Sequence, residues 1–217
     1  MKTYRFCAQA ALVLSALVLL GCAAKPKPPQ VQAAFWPPFP DEPRLQFLTS
    51  FRSSTDVAPP KSKLDELVYG KENEQNLNLA KPYGVDYHDG KIYVCDLRNA
   101  SVTVLDLKKR QTVILGRSGA DTLETPSDIA VAPDGMKYIA DLGRGLIFVF
   151  DQNDRRVGSF GHEGLKPVGV AVYQNELYVC DFAKQHVEVL DRTTGSPIRT
   201  IGRHLTRSSG KPRTGHV

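Results

Sequence analysis

The 217-residue sequence predicts an all-β fold, a β-propeller of four-stranded blades with about three blades present. Two observations carry this. From Lys81 onward the chain repeats itself with a period near 40 residues, and each period reads as four short runs of β-branched and aromatic residues bounded by Gly, Asp and Pro.

The three repeats align directly. They are PYGVDYHDGKIYVCDLRNASVTVLDLKKRQTVILG (82–116), PSDIAVAPDGMKYIADLGRGLIFVFDQNDRRVGSFG (126–161) and PVGVAVYQNELYVCDFAKQHVEVLDRTTGSPIRTIG (167–202). Their starting prolines, Pro82, Pro126 and Pro167, are 44 and 41 residues apart. The mid-repeat aspartates Asp96, Asp141 and Asp181 are 45 and 40 apart, and Asp106, Asp151 and Asp191 keep the same spacing.

Within a repeat, strand one is Gly84–Tyr87, Asp128–Ala132 or Gly169–Tyr173, followed by turn residues such as His88-Asp89-Gly90. Strand two is Ile92–Cys95, Lys137–Ala140 or Leu177–Cys180. Strand three is Ser101–Leu105, Leu146–Phe150 or His186–Leu190, and a fourth ends at Gly116, Gly161 or Gly202. Four strands per unit of this length make one propeller blade.

Other segments flank the repeats. Residues 25–43 hold seven of the 15 prolines, which fix φ and lack an N–H, so this stretch is expected to be an extended tether rather than a helix or central strand. Arg44–Phe51 is predicted as one strand that starts an N-terminal segment spanning 44–80, with a polar connector after it. Leu64, Leu67, Val68 and Tyr69 suit one helical turn. The last 15 residues, 203–217, form a polar basic tail expected to be disordered.

The N-terminus resembles a bacterial lipoprotein leader. Lys2 and Arg5 precede an apolar run from Ala8 to Leu20, too short to span a bilayer and suited to a secretory signal. Leu19-Leu20-Gly21-Cys22 then resembles a lipobox. The resemblance implies that residues 1–21 are removed, that Cys22 carries the lipid, and that residues 22–43 are a lipidated tether. Ala23 implies outer-membrane sorting in a Gram-negative host, facing the periplasm or the surface.

Charge excludes one class of partner. The whole chain is +5, but Lys2 and Arg5 leave with the leader while Arg203, Arg207, Lys211 and Arg213 lie in the tail. That leaves 22 of the 28 basic residues in the body against all 23 acidic ones, a net −1. A nucleic-acid face needs basic residues clustered on the folded domain, so no nucleic-acid partner is expected.

The pattern Pro-x-x-(Val/Ile)-x-Val, Asp-Gly, Tyr-Val-(Cys/Ala)-Asp and Val-x-Val-(Leu/Phe)-Asp resembles the NHL repeat over residues 82–202. The resemblance implies a six-bladed propeller, which takes about 240 residues of repeats. Only 121 residues run from Pro82 to Gly202, and the tail does not begin another repeat. The expectation is a truncated or frame-shifted chain, with closure by a homodimer as the rival.

Candidate functional residues follow from position. Asp96, Asp141, Asp181, Asp106, Asp151 and Asp191 each end a strand, where a carboxylate can accept backbone N–H groups, so they are expected to be structural. Arg98, Arg144 and Lys184 follow the mid-repeat aspartates and are candidates for a binding face. Some six-bladed relatives resemble lactonases or lyases with Ca²⁺ or Zn²⁺ in the central channel. Asp86 and Asp128, with His88, are the only innermost-strand residues suited to that role. The histidines show no metal-ligand spacing, so no catalytic residue and no cofactor is expected, with Ca²⁺ left as an alternative. Cys95 and Cys180 hold equivalent positions two blades apart and are expected to be buried free thiols, too distant for a disulfide.

The expected function is a non-catalytic binding scaffold in the cell envelope for a protein or small ligand. The alternatives are a metal-dependent propeller hydrolase or lyase, or a non-functional fragment.

Overall fold

The computed structural model describes residues 34–38, 40–58, 77–117, 119 and 122–202. Cys22 and its leader, the proposed helical turn at Leu64–Tyr69 and the tail from 203 lie outside the described residues. The chain divides into two compact units, Met1–Ser50 and Phe51–Val217.

In the first unit, β1 (Phe35–Trp36) pairs antiparallel with β2 (Leu45–Gln46). The expected strand over Arg44–Phe51 is therefore corrected to two residues, and its partner is the Pro-rich segment. Pro37, Pro38, Pro40 and Pro43 lie between the two strands and supply no N–H donors, so the ladder stops where it starts. Two backbone bonds flank it, Arg44 N to Trp36 O at 3.0 Å and Phe47 N to Ala34 O at 2.7 Å.

The second unit opens with a 3₁₀ turn over Ser54–Asp56, where Asp56 accepts the amides of Arg52 (2.6 Å) and Ser53 (2.9 Å). Three antiparallel four-stranded sheets follow, each built from consecutive strands. Blade one is β3 (Pro82–His88), β4 (Lys91–Asp96), β5 (Ser101–Asp106) and β6 (Gln111–Leu115). Blade two is β7 (Pro126–Val131), β8 (Lys137–Asp141), β9 (Leu146–Phe150) and β10 (Arg156–Phe160). Blade three is β11 (Pro167–Tyr173), β12 (Glu176–Asp181), β13 (His186–Asp191) and β14 (Pro197–Ile201). These are three propeller blades, and no α-helix occurs among the described residues.

The first strands begin at their prolines, two residues earlier than the sequence suggested. Each tolerates the missing N–H because a register shift follows it, between Pro82 and Val85, Pro126 and Asp128, and Pro167 and Gly169. The second strands run on to include Asp96, Asp141 and Asp181.

Strand alternation in the middle blade builds two core layers. Ile129, Ile139, Phe148 and Phe150 pack toward blade one, against Tyr93, Cys95, Val102 and Val104. Tyr138, Ala140, Ile147 and Val149 pack toward blade three, against Leu177, Val179 and Leu190. Because both faces are covered, β8 is buried along its whole length. Cutting Ile139 or Ile147 back to alanine would cost about 2–5 kcal/mol.

Cys95 and Cys180 are both free thiols. Cys95 lies in the layer between blades one and two, whereas Cys180 is exposed, which corrects the expectation that both are buried. Cys180 holds the equivalent register in blade three, and no described blade covers its face.

Candidate functional site

A four-stranded meander places its turns by parity. The turns joining strands one to two and three to four lie at one end of the blade. The turns joining strands two to three lie at the other end, together with the connectors between blades. The mid-repeat aspartates all fall on the connector face.

Asp96 is fully buried. Its Oδ1 accepts the amides of Lys81 (3.0 Å), Arg98 (3.0 Å) and Asn99 (3.1 Å). Its Oδ2 accepts Ala80 N at 2.6 Å and Asn99 Nδ2 at 2.9 Å. Burial pushes the carboxyl up, but the backbone donors outweigh it and hold Asp96 below the usual carboxylate range. The carboxylate thereby ties the incoming connector to the turn after its own strand.

Asp141 repeats the clasp. Its Oδ2 accepts Glu124 N at 2.7 Å, and its Oδ1 accepts Thr125 N at 2.9 Å and Arg144 N at 3.1 Å. Each clasped turn ends four residues on in the left-handed region, at Ala100 (φ 47°), Gly145 (φ 68°) and Gln185 (φ 55°). Gly145 has a second reason to lack a side chain, since a β-carbon there would lie 2.9 Å from Leu165 O.

Asp181 departs from this pattern. Its Oδ1 accepts Ala183 N at 2.9 Å and, at greater length, Lys166 N and Lys184 N at 3.3 and 3.4 Å. Its Oδ2 is buried and accepts no hydrogen bond. The donor that would match Ala80 and Glu124 is the amide of Leu165, which instead bonds His162 O at 3.2 Å.

On the opposite face, Asp106, Asp151 and Asp191 anchor the turns between third and fourth strands. Asp106 Oδ1 accepts Lys108 N and Lys109 N at 3.0 and 2.8 Å. Asp151 Oδ1 accepts Asn153 N and Arg155 N at 2.8 and 2.9 Å. Asp191 Oδ1 accepts Thr193 N and Thr194 N at 2.9 and 2.8 Å, and Asn175 Nδ2 reaches its Oδ2 at 2.6 Å. Cavities of about 280 Å³ (Asp134, Met136, Tyr138, Arg192) and about 200 Å³ (His88, Asp89, Tyr93, Lys137) open beside these turns. Arg192 and Asp134 close an ion pair of 2.7 Å between blades two and three.

Asp86 and Asp128, the sequence's candidates for the alternative of a channel ion, stand on the inner strands. Each bonds the backbone of the next blade. Asp86 Oδ2 accepts Val131 N at 2.7 Å and its Oδ1 accepts Tyr87 N at 2.7 Å, while Asp128 Oδ2 accepts Val170 N at 3.0 Å. Burial raises the Asp128 carboxyl, the amides of Val170 and Ile129 pull the other way, and the Asp86 charge adds to the rise.

Arg98, Arg144 and Lys184 do reach the connector face. Arg98 is exposed, Arg144 Nε lies 3.7 Å from Glu124 Oε2, and Lys184 is drawn into a cluster that the sequence reading missed. There His162 Nε2 lies 3.0 and 3.1 Å from the two Glu188 oxygens, and His186 Nε2 lies 3.1 Å from Glu188 Oε1. Lys184 Nζ sits 3.1 Å from Glu188 Oε1, 3.3 Å from His162 Nε2 and 3.8 Å from Asp181 Oδ2. A connector, a turn and a strand supply these groups, so no linear spacing announces them. One signal was readable: Glu188 stands where the other repeats have Thr103 and Phe148, and His186 precedes it by two on the same strand face.

No family profile and no curated protein matches the chain. Its fold is similar to that of solved β-propellers. A chain from a nidogen/laminin complex matches with a TM-score of 0.51 and 18% identity, over 62% of this chain and 53% of that one. U3-55K matches with a TM-score of 0.50 and 15% identity, over 58% and 40%. This chain therefore spans about half or less of the propellers it resembles, and at such identities the likeness concerns the fold alone.

Proposed function

We propose that this protein is a lipid-anchored NHL-type propeller of the cell envelope, a non-catalytic binding scaffold for a protein or small ligand. The observation that carries the reading is how the repeat carboxylates are used. Asp96 and Asp141 are committed to the backbone amides of connectors and turns, and Asp86 and Asp128 to the next blade's strand. Channel chemistry would need such groups to converge on a substrate or ion; here they brace the blades against one another. The clasped turns keep one backbone shape and vary in side chain, as Leu97-Arg98-Asn99, Leu142-Gly143-Arg144 and Phe182-Ala183-Lys184. Side chains varied on a fixed frame are how propeller loops make recognition surfaces. Support for the envelope address is the apolar run ending in Leu19-Leu20-Gly21-Cys22.

Three measurements test this. Wild-type protein labelled with an alkyne fatty acid is expected in the membrane fraction, and Cys22→Ala is expected unlabelled and released; equal membrane retention of both sinks the anchor. Photo-crosslinkers at Arg98 and Phe182 are expected to trap a partner that a crosslinker at Val157, on the β10 edge, does not. Turnover of a lactone that is lost in Asp86→Asn would favour the hydrolase reading instead.

A further inference from the structure

The geometry points to a divalent-cation site of the zinc type, formed by His162, Asp181 and Glu188 and guarded by Lys184. One ligand atom from each of the three residues lies within 4.8 Å of the others. Ligands bonded to one zinc ion at about 2.0–2.1 Å stand about 3.3 Å apart in a tetrahedral shell. His162 Nε2 and the Glu188 oxygens, at 3.0 and 3.1 Å, already have that separation, so only the Asp181 side needs to close in.

The independent observation is the orphaned oxygen of Asp181. The side chain is completely buried, its Oδ2 accepts no hydrogen bond, and the nearest cation is the Lys184 ammonium at 3.8 Å. In blades one and two the matching oxygen takes a connector amide, from Ala80 or Glu124. In blade three the connector turns so that Leu165 N bonds His162 O, and the same turn that withholds this donor delivers the His162 imidazole. A buried acceptor without a hydrogen bond and a ligating nitrogen thus arrive together.

The His162 imidazole is oriented as a ligand's would be. His162 Nδ1 lies 3.0 Å from Glu163 O, and a carbonyl can only accept, so Nδ1 carries a proton and Nε2 faces the carboxylates. A ring nitrogen meets two carboxylate oxygens either as a donor or across a shared cation. Lys184 supplies such a cation now, through a side chain that is 43% exposed and can swing out to solvent. His186 Nε2, 3.1 Å from Glu188 Oε1, helps to orient the carboxylate. One imidazole with two carboxylates suits zinc better than calcium or magnesium, which prefer oxygen alone.

The test is calorimetric titration of ZnCl₂ into the chelator-treated full chain, beside three variants whose folding is checked by circular dichroism. Wild type is expected to bind one ion at this site. Lys184→Met is expected to bind it at least about tenfold more tightly, because no ammonium competes, and His162→Ala and Glu188→Gln to lose about tenfold or more. Absence of binding in both wild type and Lys184→Met overturns the site. So does zinc binding that is unchanged in His162→Ala, which would place the metal on other histidines.

Discussion

Gly84 of β3 faces Asp128 of β7 so closely that a β-carbon on the glycine would lie 2.6 Å from the Asp128 Cα and 2.6 Å from Ser127 O. Inner strands of neighbouring blades meet here backbone to backbone, and neither atom can yield as a side chain tip would. Gly84→Ala is expected to destabilise the protein by about 1–3 kcal/mol. Gly158 provides the contrast, since a β-carbon there meets nothing within 4 Å. Gly158→Ala should be neutral or slightly stabilising, by at most about 1 kcal/mol. Thermal unfolding of the two variants measures the difference.

The clasp aspartates should separate on substitution. Both oxygens of Asp96 accept donors, so either orientation of an asparagine amide would turn its NH₂ against an N–H. Asp96→Asn is expected to cost about 3 kcal/mol. Asp181→Asn can place its NH₂ at the oxygen that accepts no hydrogen bond, losing only the 3.8 Å ion pair with Lys184, and should cost less, about 1 kcal/mol. Urea denaturation would report equal losses if the two clasps were equivalent.

Asp96 and Asp128 should bend stability against pH in opposite directions. The Asp96 carboxyl is held below its ordinary 3.8, so its contribution is present above that pH and disappears as pH falls through the lower folded value. The Asp128 carboxyl is raised above 3.8, so the folded state keeps that proton longer and loses stability as pH rises through this window. Asp128→Asn still accepts Val170 N and removes the charge. It should therefore be more stable than wild type at pH 7, with the gain vanishing in acid; a gain that is the same at both pH values would contradict this assignment.

Thiol labelling should divide the two repeat cysteines. In a chain with Cys7 and Cys22 replaced by serine, one thiol, Cys180, should react with Ellman's reagent in the native state. Cys95 should react only on unfolding, because burial both covers its sulfur and pushes its ionisation up. Two rapid equivalents would show that the layer between blades one and two opens.

Much of this architecture was legible from local chemistry. The spacing of Pro82, Pro126 and Pro167 marked the first strands, and residues such as Asp96 and Asp141 announced turns because a carboxylate at a strand end collects nearby amides. What failed depended on partners distant in sequence. Phe47 and Leu48 look strand-like, but only Leu45–Gln46 pairs, since its partner is the proline-interrupted Phe35–Trp36. His162 and Glu188 are 26 residues apart, and only the packing of a connector onto β13 brings them together.

The sequence by itself determined the repeat and its four strands, because alternation, proline and turn residues act over a few positions. The tetrapeptide Tyr-Val-Cys-Asp shows what only the tertiary structure decided, for it occurs unchanged at 93–96 and at 178–181. In blade one its tyrosine, cysteine and aspartate are buried and the carboxylate is fully bonded. In blade three the cysteine is exposed and one carboxylate oxygen is orphaned beside His162. Identical residues have the same local conformation, but which blade covers them and which connector supplies their donors are set by chain far away in sequence.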